Sequence, residues 1–159
     1  MIKLKSVVPT LCMLLLLTTN VKAITWCHDY SLFKISGQDV NQTSPEMLRQ
    51  HLIRLKFKRF KFTHAAHMPQ AQSKLRHGDV IIIGNAHSGV VNQQGLIDHF
   101  IQKFGASGTS YTPEEILNIN NFKRNWTLLQ IMNFSRSTPD GRKIFPYKKQ
   151  EVEVWRKQK

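Results

Sequence analysis

Apolar and polar positions along the 159-residue chain fall into short segments of two different periods. Residues 44–55, SPEMLRQHLIRL, place Met47, Leu48, His51, Leu52 and Leu55 on one side of a helical wheel. Ser44 stands where an N-cap is needed, and Pro45 sits at the first helical position, where its missing N–H costs nothing. Residues 27–36, CHDYSLFKIS, predict a short helix closed by Gly37. Residues 54–62, RLKFKRFKF, alternate basic and apolar side chains with one slip at Lys58-Arg59. This reads either as a strand bulged at the slip or as a segment lying in a membrane interface. Residues 64–78 predict a connector, and DVIII at 79–83 a buried strand. HSGVVN (87–92) and LIDHFI (96–101) predict two strands, although Leu96, Ile97, Phe100, Ile101 and Phe104 also satisfy a helical period. TPEEIL at 112–117 starts a further helix, with Thr112 and Glu115 forming a capping box. WTLLQIMNF (126–134) reads as a last core strand, RSTPDGRK (136–143) as a turn, and 147–159 as a loosely ordered tail. The order predicts an α+β fold, with N-terminal helices packed on a mainly antiparallel sheet.

The hairpin expected at 87–101 has a register that its loop determines. In a three-residue loop Gln93-Gln94-Gly95, the last position takes a left-handed conformation, which glycine adopts freely. Asn92 then faces Leu96, and Gly89 faces His99. His87 lies two residues from Gly89 and points to the same face, making it a diagonal neighbour of His99. Gly89 has no side chain to separate the two imidazoles. A slip of one residue would send them to opposite faces.

The N-terminus alters what the rest of the chain is expected to be. MIKLK is a basic head, VVPTLCMLLLL an apolar run too short to span a bilayer as a helix, and TTNVKA a polar stretch ending in Ala23. That order predicts a signal peptide over 1–23 and an exported protein, periplasmic or extracellular. A short membrane anchor is the alternative. Without Lys3, Lys5 and Lys22 the chain keeps 20 Lys+Arg against 10 Asp+Glu, a net charge of +10. Such a charge favours anionic partners, and export makes nucleic acid the least suited of them. The basic segment 54–62 is the stretch suited to peripheral membrane contact.

Export also removes Cys12 and leaves Cys27 alone. A single cysteine forms no internal disulfide, so it is a core thiol, an intermolecular link or a reactive group. At a helix start, unpaired N–H groups and the helix dipole favour thiolate and lower the thiol pKa. The same N–H groups can hold an oxyanion. A histidine within reach could take the thiol proton, and a second polar group would set that histidine's tautomer.

The stretch LRHGDVIIIGNAHSGVVNQQGLIDHF resembles the core of the NlpC-type cell-wall cysteine peptidases, relatives of the CHAP amidases in the papain-like superfamily. The matching positions are Leu75, Gly78-Asp79, Val80 to Ile83, His87-Ser88-Gly89-Val90-Val91 and His99. Cys27 lies 60 residues before His87, and FKRNWTLLQIMNFSR looks like the family's closing aromatic-rich strand, ending at Arg136. The resemblance covers roughly 27–136 and is strongest over 75–99. It implies a papain-like domain over 24–140 followed by a basic tail at 141–159. It further implies Cys27 as nucleophile, His87 as general base and acid, and His99 as the orienting residue. The substrate class it implies is the amide bonds of peptidoglycan stem peptides. Where the family has Asp-Cys-Ser-Gly, this chain has Trp26-Cys27-His28-Asp29, and the tyrosine- and glycine-containing segment that usually precedes the cysteine is not matched.

Two expectations follow: an exported cysteine hydrolase with a Cys27, His87, His99 centre, or the same fold as a non-catalytic envelope-binding or effector protein. No cofactor is expected, since Gly84-Asn85-Ala86-His87 lacks the lysine and helix of a phosphate-binding loop. No metal is expected either. His64 and His67 have helical metal-ligand spacing, but no third ligand is evident nearby.

Overall fold

The computed structural model describes residues 27–38, 42–62, 68–100 and 122–159. The expected leader at 1–23, the helix expected at 112–117, and His64 and His67 lie outside them. Helix α1 (Cys27–Ser36) ends where Gly37 adopts φ +67° and its N–H bonds to Phe33 O at 2.8 Å. Helix α2 (Pro45–Arg54) starts as its sequence predicts, with the Met47 N–H donating to Ser44 Oγ at 3.1 Å. Leu48 and Leu52 carry its buried face.

Among the described residues six strands form one antiparallel sheet in the order β1-β8-β2-β3-β4-β5. They are β1 (Phe57–Phe62), β2 (Val80–Ile83), β3 (His87–Val91), β4 (Ile97–Phe100), β5 (Phe122–Trp126) and β8 (Val152–Lys157). Strands β6 (Arg136–Ser137) and β7 (Lys143–Ile144) make a separate two-stranded hairpin around the predicted turn. The mixed α+β class with a mainly antiparallel sheet is therefore as expected.

Strand alternation divides the interior in two. One core, with Tyr30, Leu32, Leu48 and Leu52 from the two helices, packs on Val80, Ile82, Val90, Phe100 and Trp155. The other lies on the opposite face, against Ile81, Ile83, Val91, Ile97, Val152 and Val154. Short helix α3 (Met68–Ser73) and helix α4 (Leu128–Met132) cover that second face through Ala71, Leu128, Ile131 and Met132.

Four sequence expectations need correction. The expected strand 126–134 ends at Trp126 and becomes α4, because Thr127 and Gln130 close a capping box. The expected connector 64–78 contains α3. The slip at Lys58-Arg59 is no bulge: β1 pairs with β8 in unbroken register from Phe57 to Phe62. Instead, Phe57 enters the first core and Phe62 packs against the second. Finally, the domain does not stop at residue 140. Strand β8, from the expected tail, lies inside the sheet between β1 and β2.

The tail is held there by charge as well as by ladder bonds. Buried Glu153 accepts from Arg49 Nε at 3.2 Å and from Trp155 Nε1 at 2.7 Å. Arg156 grips Asp79 with two bonds, of 2.9 and 2.7 Å, and donates to Lys74 O at 2.7 Å. Asp79 also accepts the Arg76 N–H at 2.9 Å, so the Gly78-Asp79 pair shapes the turn into β2. Such paired and hydrogen-bonded charges avoid the cost of burying a lone ion.

Candidate active site

Strands β3 and β4 meet in the register that the loop predicts. Gly89 pairs with His99 and Val91 with Ile97, while Gly95 takes φ +75°. The Asn92 N–H bonds to Leu96 O at 2.8 Å, and the Asn92 side-chain oxygen accepts the Gln94 and Leu96 N–H groups. His87 Nε2 and His99 Nδ1 then lie 2.8 Å apart and share a hydrogen bond. Both rings are buried, at 2 % and 0 % exposure. Gly89 is needed between them: a Cβ there would lie 2.7 Å from Ile97 Cγ2 and 3.0 Å from both Asp98 O and His99 Cβ.

Aromatic rings brace the pair. Tyr147 stacks on His87 with centroids 4.8 Å apart, and Trp126 meets His99 edge-on at 4.9 Å. Arg136 Nη2 donates to the Tyr147 hydroxyl at 3.4 Å. The bond to His99 sets the His87 tautomer according to its direction: when His99 Nδ1 accepts, His87 Nε2 carries the proton. With Nε2 engaged by His99, Nδ1 is the nitrogen left for proton exchange.

Cys27 occupies the first position of α1, against the other face of β3. Ser88 reaches that face because it alternates with His87 along the strand. Its hydroxyl lies 2.9 Å from His28 Nδ1 and 2.8 Å from Ser31 Oγ, and Ser31 Oγ donates to Cys27 O at 3.0 Å. Around the sulfur, the Ser88 N–H, the Ser88 hydroxyl and the His28 N–H favour thiolate. Burial opposes them and is the larger effect, so the thiol pKa is pushed up to about 11. The lowered pKa expected at a helix start is thus overturned by desolvation.

The histidines are shifted in the complementary sense, towards neutrality. Burial, helped by nearby Arg49, lowers His28 to about 4. Burial and Lys123 lower His99 to about 3. His87 lies well below its ordinary range, through burial first and then the positive character of His99, His28 and Arg136. At rest the site therefore holds a neutral thiol and neutral imidazoles, not a thiolate–imidazolium pair.

The two sides of β3 come together at its open end. A cleft of about 450 Å³ there is lined by both Cys27 and His87, with Thr43, Asn85, Arg136 and Tyr147 among the other wall residues. Asp29 anchors one wall by accepting the Thr43 N–H at 2.7 Å. The Thr43 hydroxyl is buried without a hydrogen-bond partner among the described residues. No group of three or more His, Cys, Asp or Glu suited to a metal ion occurs among them either.

The three residues singled out in the sequence thus occupy one neighbourhood: His87 and His99 in contact, and Cys27 on the shared cleft. The sequence reading missed Ser88, Ser31, Tyr147 and Trp126. Strand alternation could have turned Ser88 towards α1, and the three-residue spacing could have put His28 and Ser31 on one side of α1. Nothing local singles out Tyr147. No protein family, curated protein or solved structure matches this chain.

Proposed function

We propose that this chain is a papain-like thiol hydrolase of the NlpC type, acting on amide bonds of peptidoglycan stem peptides. The observation that carries the reading is the 2.8 Å His87–His99 bond on a strand whose open end shares a cleft with Cys27. The sequence resemblance over 75–99 supplies the substrate class.

In this reading His87 Nδ1 takes the proton from Cys27 Sγ as the sulfur attacks the amide carbonyl carbon. Because the resting thiol is protonated, deprotonation accompanies attack rather than preceding it. The carbonyl electrons move to oxygen, where the His28 N–H at the start of α1 and the Ser88 N–H are candidate donors. Collapse breaks the C–N bond, and His87 returns its proton to the leaving amine. Water, deprotonated by His87, then cleaves the thioester and restores the thiol. His99 accepts the His87 Nε2–H throughout and keeps the ring in the working tautomer.

A stem-peptide cleavage assay tests this. Cys27→Ala and His87→Ala should each lower turnover by about a thousandfold or more. Turnover retained in Cys27→Ala rejects the reading. A second reading, an envelope-binding protein without turnover, is favoured by one observation: Cys27 is buried at 7 % exposure with its thiol pushed up to about 11. Salt-sensitive binding of wall polymer without cleavage by the wild type would select it.

A further inference from the structure

A second cleft, of about 780 Å³, shares no lining residue with the Cys27 cleft. The two flank α1: Cys27 and His28 at one end of the helix face the first, Tyr30, Lys34 and Ile35 further along face the second. Lys34, Arg76, Lys157 and Lys159 bring exposed cations to the second cleft from three separate parts of the chain. None of the four makes an ion pair among the described residues. The two carboxylates in the wall are already engaged. Asp79 is held by Arg156, and Asp98 Oδ1 accepts from Asn92 Nδ2 at 2.9 Å and from the Asn125 N–H at 3.0 Å. The cleft is therefore a concave, net positive surface, in which Asp98 is the one lining carboxylate outside an ion pair among the described residues.

We propose that this cleft binds an acidic polysaccharide, a glycan strand bearing carboxylates. The cations meet the carboxylates. Exposed Gln93 and Gln94, from the tip of the β3–β4 hairpin, line the same cleft with amides that both donate and accept, as sugar hydroxyls require. The floor disfavours single-stranded nucleic acid. Its aromatic side chains Tyr30 and Phe57 are only 3 % and 9 % exposed, which leaves His77 as the one lining ring with an exposed face, too few to stack successive bases. Binding here goes beyond the hydrolase reading and does not depend on Cys27.

Polygalacturonate, titrated at low ionic strength by calorimetry, is the probe. Lys34→Ala/Arg76→Ala/Lys157→Ala should weaken it about tenfold, the sum of three exposed charge contacts. Lys58→Ala/Lys143→Ala/Lys149→Ala removes three exposed cations outside the cleft and should weaken it no more than about twofold. Equal losses in the two triples overturn the site, because they reduce the binding to diffuse charge. Gln93→Ala/Gln94→Ala should weaken polygalacturonate but leave inorganic polyphosphate unchanged. A parallel loss of both ligands, or tighter binding of a DNA duplex that the cleft triple abolishes, overturns the glycan assignment. Cys27→Ala should bind as the wild type does, which separates this result from the fate of the hydrolase reading.

Discussion

Consecutive residues of β3 face two differently built regions. On the α1 side, Ser88 joins His28, Ser31 and Cys27 through hydroxyls and backbone N–H groups. On the other side, His87 joins His99, clasped between aromatic rings. The first region is held by small polar groups at a helix start, the second by ring packing around one imidazole–imidazole bond. A strand's twofold period separates nucleophile candidate and base candidate onto opposite faces, so the open end of β3, where the cleft lies, is where they converge. Both regions are desolvated, and both therefore hold their titratable groups neutral.

That common neutrality produces the largest expected effect on stability. His28, His87 and His99 have folded pKa values below the unfolded value of about 6.5, so the unfolded chain binds more protons once the pH drops below it. Stability is fully present above that value and falls as pH goes down towards about 4, the folded value of His28. Near pH 5 the loss is about 1 kcal/mol per pH unit for each of His28 and His99, and His87 adds to it in the same direction. Urea titrations across this range measure it, and His28→Asn should remove about a third of the slope. A His87 or His99 ring titrating near 6.5 in the folded protein, seen by NMR, would contradict the description of that face.

Gly89→Ala acts on the histidine side alone. Its Cβ would press on Ile97 and on the backbone of β4, a cost of about 2 kcal/mol by overpacking. The urea midpoint should fall and the His87–His99 contact should loosen. An unchanged midpoint would mean that the two strands are not this close.

Ser88→Ala acts on the α1 side and has the smallest expected effect, about 1 kcal/mol for the lost hydroxyl bonds. It also removes a group that favours the thiolate, so the Cys27 pKa should rise further. The pH profile of Cys27 alkylation by iodoacetamide reads this directly. A downward shift would mean that the Ser88 hydroxyl does not face the sulfur.

Much of the frame was legible in the chain because its determinants are local. Gly37 and Ser44-Pro45 mark helix ends through bonds spanning a few residues, and the Gln93-Gln94-Gly95 loop places Gly89 opposite His99. Even the α4 error was locally avoidable: Thr127 and Gln130 spell a capping box, but the apolar run after Trp126 also satisfied a strand. By itself, then, the sequence determined the starts of α1 and α2, the buried β2 and the meeting of His87 with His99. Only the tertiary structure decided that β8 enters the sheet beside β2, that Tyr147 stacks on His87, and that Cys27 faces Ser88 with a raised pKa. Capping and turn geometry act over a few residues, whereas strand neighbours and desolvation depend on which distant segments exclude water from the same place.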